Sequence, residues 1–174
     1  MREWVMGLLV VGLALAATGA AAEIPDTADG LKAQMDAAVA AAKAGDKEKL
    51  AELVKGLILP DHEAWFKEVF GDELGAALAK EYAGQLEGFE QGVGGFFTKL
   101  VDKQPFEISV KKLEKADDPD ARGAQRSALA AMKKPVPLYD VSFRGDNVGM
   151  SLWSFVYSKG AFRLAGKMRA AAKN

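Results

Sequence analysis

A single histidine occurs in the chain, and it stands between two acids in Asp61-His62-Glu63-Ala64-Trp65. An imidazole flanked by carboxylates has the makings of a general base with a tuned pKa. The same residues fit the first turn of a helix, where acidic side chains interact favourably with the helix dipole. Beyond these adjacent acids the histidine has no partner that the sequence identifies, so the first-turn reading requires less.

Asp117, Asp118 and Asp120 resemble the start of a calcium-binding loop, but the pattern fails when counted out. From Asp118, the third position is Asp120 and the sixth is Gly123, yet the fifth is Arg122 and the twelfth is Leu129 where a bidentate glutamate is needed. These acids are expected instead to cap a helix and fill its first turn. With one His and no Cys, a zinc site is not expected, and the chain calls for no cofactor.

Gly84, Gly88 and Gly92 recur at every fourth position of a helical pattern and place a smooth stripe on one face. Glu81, Glu87 and Glu90 exclude a membrane-dimer role for it, which leaves close helix packing or a cavity wall. Arg144-Gly145-Asp146 spells an adhesion tripeptide, but turn chemistry explains it where it stands. Arg163, Lys167, Arg169 and Lys173 form a basic end. Outward strand charges there would protect a sheet edge; an anionic headgroup or ligand is the sharper reading.

These residues belong to a chain of 174, with 49% hydrophobic and 27% charged residues, a net charge of −1 and no internal repeat. The charge balance gives no field for non-specific nucleic-acid binding. The lack of cysteine excludes disulfides, thiol catalysis and a lipid-modified N-terminal cysteine. Residues 1–22 read as an export signal. Arg2 gives a positive start, residues 4–17 form an uncharged apolar run, and Ala20-Ala21-Ala22 supplies small residues before Glu23. The alternative is an uncleaved membrane anchor, since the uncharged stretch from Trp4 to Ala22 is near the shortest length that spans a bilayer. With cleavage, no stable membrane insertion remains, and residues 23–174 form one exported domain, periplasmic or secreted.

The first half of that domain reads as helix. Leu31, Met35, Val39 and Ala42 share a face, ended by Gly45. Asp46 caps a second helix with Leu50, Leu53, Val54, Leu57 and Ile58 inward, closed by Pro60. Asp61 caps a third, reaching Phe70. Asp72 caps a long fourth helix, where apolar residues recur from Leu74 to Leu100 with a kink expected at Gly94-Gly95. The period then changes. Phe106, Ile108 and Val110 alternate with polar residues as a strand. Asp118-Pro119 starts a short helix running towards Lys133. Tyr139, Val141 and Phe143 share one strand face, with Asp140, Ser142 and Arg144 on the other. Gly145-Asp146 makes a hairpin. Val148 to Tyr157 is apolar on both faces and reads as a doubly covered central strand, with Trp153 and Phe155 on one side and Leu152 and Val156 on the other. Lys159-Gly160 turns it into a last strand with Phe162, Leu164 and Met168 inward and Arg163, Lys167 and Arg169 outward. The segregated order predicts an α+β fold, with the helices on one face of the sheet.

The element order and the aromatic closing hairpin, Ser151-Leu152-Trp153-Ser154-Phe155-Val156-Tyr157 through Phe162-Arg163-Leu164, resemble the broad NTF2-like (SnoaL-like, cystatin-related) superfamily over roughly residues 30–170. Exported lipid-shuttling proteins of the MlaC type are similar at the same coarse level. The resemblance implies N-terminal helices packed on a curved antiparallel sheet of about four strands, with a cone-shaped pocket. It also implies that an enzyme of this group would pair an Asp with a His or Tyr inside the cone; Asp140 with His62 or Tyr82 is the nearest equivalent. Asp140 falls equally well on the outer strand face, as an exposed ion pair with Arg144.

The resulting expectation is an exported, non-catalytic binding or accessory domain that holds a small apolar or amphipathic, lipid-like ligand between the long helix and the sheet. Trp65, Tyr82, Trp153 and Tyr157 are candidate lining residues because such pockets are largely aromatic, although each is equally suited to a core. A lyase or isomerase using Asp140 and His62 is one rival, and a protein-interaction domain using the outer sheet face is another.

Overall fold

The computed structural model describes residues 23–172; the expected signal segment and Lys173 lie outside the described residues. Thr27 caps α1 (Ala28–Ala44) by accepting the Gly30 amide at 3.1 Å, and Gly45 ends it in the left-handed region. Asp46 likewise caps α2 (Lys47–Lys55) by accepting the Lys49 amide at 2.9 Å. Then come α3 (His62–Phe70), α4 (Asp72–Leu86), α5 (Phe89–Val101), β1 (Glu107–Leu113), α6 (Gly123–Ala131), β2 (Leu138–Gly145), β3 (Val148–Ser158) and β4 (Ala161–Leu164), with a 3₁₀ turn at Arg169–Ala172. The strands form one antiparallel sheet in the order β1-β2-β3-β4. Five of the six helices precede it, so the fold is α+β, as expected.

The sheet separates two cores. Its inner face carries Ile108, Tyr139, Val141, Phe143, Phe155 and Phe162, which pack with Leu31 and Met35 of α1, Val54 of α2, and Phe97 and Leu100 of α5. Its outer face carries Leu113, Leu138 and Val156, which pack with Phe66 and Phe70 of α3, Leu78 and Tyr82 of α4, and Ala128 of α6. Helices therefore cover both faces, and the one-face arrangement is corrected. Leu113, Leu138 and Val156 make one end of the outer face apolar, and α3, α4 and α6 supply its cover.

The long fourth helix is two helices. Glu87 is extended and Gly88 takes φ 72°, a left-handed conformation that glycine adopts without steric cost, so the chain turns there and not at Gly94-Gly95. The expected glycine stripe is broken in its middle, and a Cβ added at Gly84 or Gly92 would meet nothing within 4 Å. Those glycines mark neither a close helix contact nor a cavity wall.

Asp61 precedes α3 but makes no capping bond; its carboxylate pairs with Lys159. Asp72 is the first residue of α4 and Gly71 its cap. α6 starts at Gly123, not at Asp118-Pro119. Asp118 instead accepts the Asp120 amide at 2.9 Å in a local turn, and Asp120 bonds Lys111.

At the β3–β4 turn, Lys159 and Gly160 take φ 50° and 76°, the pair of positive values that suits a two-residue hairpin loop. β4 ends at Leu164, and Met168 joins the second core after the strand. Arg163 does not face outward as an edge charge: its guanidinium donates to the carbonyls of Gly56 and Ser158. The free edge of β4 is met by backbone, with the Leu164 amide donating to Leu57 O at 2.8 Å.

Candidate functional site

Register places four rows of side chains across the outer face. Leu113 stands opposite Leu138, Lys111 opposite Asp140, Ser109 opposite Ser142, and Glu107 opposite Arg144. On the far side of β2, Ser142 faces Ser151 and Arg144 faces Gly149. The leucine row is buried under the second core. The serine row, Ser109-Ser142-Ser151, is too short to fill the space above it. The result is an open cavity of about 560 Å³, with the serines on its floor and α6 and residues 167–169 on its walls.

Between the leucine and serine rows the ladder is irregular. Tyr139 pairs with Phe155 and Val141 with Leu152, so Trp153 and Ser154 together oppose the single residue Asp140. This is a β-bulge, and Ser154 sits in it at φ 64°. Asp140 holds the bulge in place. Its Oδ1 accepts from the Ser154 amide at 3.0 Å and from Gln125 Nε2 at 2.6 Å, and Gln125 also donates to Ser154 Oγ at 3.2 Å. Gln125 projects from α6, so this small network ties the helix to the sheet. Burial pushes the Asp140 carboxyl above its ordinary pKa, against the lowering effect of the two hydrogen bonds.

The extra residue also reverses the pleat. Leu152 and Phe155 pack in the first core, whereas Trp153 and Val156 belong to the outer face. The expected placing of Trp153 beside Phe155 is therefore corrected. Double coverage holds for Phe155 and Val156 but not for Gly149 near the start of β3, which is exposed, nor for Trp153 at its middle, which is 54% exposed at the cavity wall.

Five cations and two carboxylates line this cavity in a chain whose net charge is −1. Lys111 pairs with Asp120 at 2.6 Å. Arg122, Arg144 and Lys167 form no ion pair with a described residue. The Arg144 guanidinium lies over Gly149, where an added Cβ would stand 3.1 Å from Nη1.

The other sequence-selected residues are dispersed. The His62 ring packs on Tyr82 with centroids 5.1 Å apart. Tyr82 is buried in the second core, and its hydroxyl accepts the Leu59 amide at 2.8 Å. Trp65 packs edge-on against Phe66 in the same cluster. Tyr157 lies on the inner face and donates to Ile24 O at 2.6 Å. The cavity is walled by α6 and residues 167–169 and lined by no residue of α4 or α5, so its expected place between the long helix and the sheet is corrected. Of the four aromatic candidates, Trp153 alone lines it. Asp140 lines it too, but its hydrogen bonds go to Gln125 and Ser154, and neither His62 nor Tyr82 takes part. Gln125, Ser154, Arg122 and the serine row were missed. The signal for the serines was parity, since Ser109 and Ser142 alternate with core residues on their strands.

Among the described residues, no group of three or more His, Cys, Asp or Glu is gathered as a metal site, and no helix is long and apolar enough to cross a membrane. Comparison with protein-family models, with curated proteins and with solved structures finds no match to this chain.

Proposed function

We propose that the chain is an exported, non-catalytic binding domain of NTF2-like architecture that holds a small amphipathic molecule in the outer-face cavity. The observation that carries this reading is Trp153: a large apolar side chain left 54% exposed at the wall of a cavity of about 560 Å³. A tryptophan in that position gains by covering its ring, and a volume of several hundred Å³ is that of a small-molecule site. The polar floor and cationic rim call for a ligand with one polar end. The N-terminal positive start, apolar run and small residues before Glu23 support export.

The acid/base alternative draws on the burial of Asp140, but the two donors on its Oδ1 give that carboxylate a structural task. Native mass spectrometry of the protein purified from its own host tests the binding reading. A bound small molecule, lost in Trp153→Ala, is the expected result. A ligand-free wild type that also gives no heat with any amphiphile would overturn it.

A further inference from the structure

The cavity has a chemical direction. Its floor is neutral, with three serines, and one wall carries Trp153 and Met168. Its mouth is cationic. Arg144 comes from the β2 end nearest the hairpin, Arg122 from the residue before α6, and Lys167 from the chain beyond β4. These three lie far apart in sequence, yet the fold brings them to one opening. Each is exposed, and none is neutralised by an ion pair with a described residue. Of the two acids present, Asp120 is taken by Lys111, and Asp140 accepts from the Gln125 and Ser154 donors while feeling the Arg122 charge without an ion pair to it.

Resting on the binding reading above, we infer that the ligand carries an anionic head, a carboxylate or a phosphate monoester, received by Arg122, Arg144 and Lys167, with its apolar part against Trp153. Like charges held together at one opening repel one another, and an anion placed among them relieves that repulsion. Guanidinium groups add planar, two-pronged donation that matches carboxylate and phosphate oxygens. A cationic ligand would meet the opposite field. A neutral one would leave Lys167 uncompensated, with Arg122 and Arg144 balanced only at longer range by Asp140 and by Glu107 across the strand pair.

The test uses the product of the full-length gene and four amphiphiles sharing one tail, each below its micelle concentration: decanoate, decyl phosphate, decyl maltoside and decyltrimethylammonium. Calorimetry should show at least one of the two anions binding about tenfold or more tightly than the maltoside, with the cation weakest. The double variant R122Q/R144Q should lower anion affinity by about tenfold or more and leave the maltoside unchanged. These side chains are exposed, so the fold should survive, which circular dichroism checks. K99Q/K103Q, on and just after α5, controls for a general charge effect and should change nothing. Preference for decanoate or for decyl phosphate identifies the head; either supports the inference. Equal affinity for anion and maltoside overturns the anionic head while leaving the binding reading intact. An anion preference that survives R122Q/R144Q overturns the assigned receptors. No binding of any of the four overturns both readings.

Discussion

The Ser154 amide donates to Asp140 Oδ1 over 3.0 Å at the one point where β2 and β3 lose their register. That bond fixes an extra residue in β3 and so decides which side chains of the strand face the core. The bond needs an acceptor oxygen at position 140, which Asn would keep and Ala would remove, and not a charge.

Asp140→Asn keeps an oxygen to accept from Ser154 and Gln125 and removes a charge that burial disfavours. Because the folded-state pKa of Asp140 is raised, the folded protein holds that proton more strongly than the unfolded chain. The cost of the buried charge is fully present above the raised value. It disappears as pH falls through that value to below the ordinary 3.8. Asp140→Asn should therefore be more stable than wild type at pH 7, with the gap narrowing towards pH 4. Asp140→Ala strands the Ser154 and Gln125 donors and should cost about 1–3 kcal/mol. Urea titrations of the three proteins at both pH values check this; an Asn variant as damaged as the Ala variant would show that the charge itself is needed.

Trp153 and Phe155 should respond oppositely to truncation. Phe155 is fully buried in the first core, so Phe155→Ala should cost about 3–5 kcal/mol. Trp153 is more than half exposed, and Trp153→Ala should stay within about 1 kcal/mol of wild type. Equal losses would mean that the bulge does not turn Trp153 out of the core.

The same pair shows what the sequence could and could not disclose. Alternation placed Phe106, Ile108 and Val110, and Tyr139, Val141 and Phe143, on the correct face, because β1 and β2 keep a regular pleat. It failed after Leu152, because a bulge inserts one residue without any glycine or proline to mark it; Ser154 takes a positive φ through its bonds with Asp140 and Gln125. Helix ends were legible where a side chain or a glycine does the local work, as at Asp46 and Gly45. They were not at Asp61 or Asp118, whose carboxylates are drawn to Lys159 and to the Asp120 amide. The cavity was illegible for a related reason: it arises from small residues on three strands that only register brings into one row.

Two buried tyrosines distinguish structural hydroxyls by the partner each leaves behind. Tyr82→Phe deprives the Leu59 amide of its acceptor inside the second core, and should cost about 1–3 kcal/mol. Tyr139→Phe removes a donor to Asp26, which is exposed and can turn to water, so about 0.5–1.5 kcal/mol is expected. Thermal melts of both variants give the order; a larger loss for Tyr139→Phe would indicate that the segment before α1 contributes more to the fold than its single hydroxyl contact implies.

The serine row offers the most direct way to close the cavity without touching its charges. Ser142 is the middle serine, half-buried, with neighbours Ser109 and Ser151 in register on either side and Ser151 Oγ at 3.2 Å. Because the space above it is open, Ser142→Phe can place its ring in the cavity instead of forcing it into packed core, and the usual overpacking cost of about 1–3 kcal/mol should be avoided. Circular dichroism should stay unchanged while calorimetric binding of decanoate or decyl phosphate falls by at least about tenfold. Ser142→Ala removes only the Oγ contact and leaves the volume free, so it should bind as wild type does. If Ser142→Phe folds and still binds at full strength, the ligand does not occupy the space above the serines. If Ser142→Ala also loses binding, the hydroxyl itself contacts the ligand, and its polar end reaches the floor rather than the mouth.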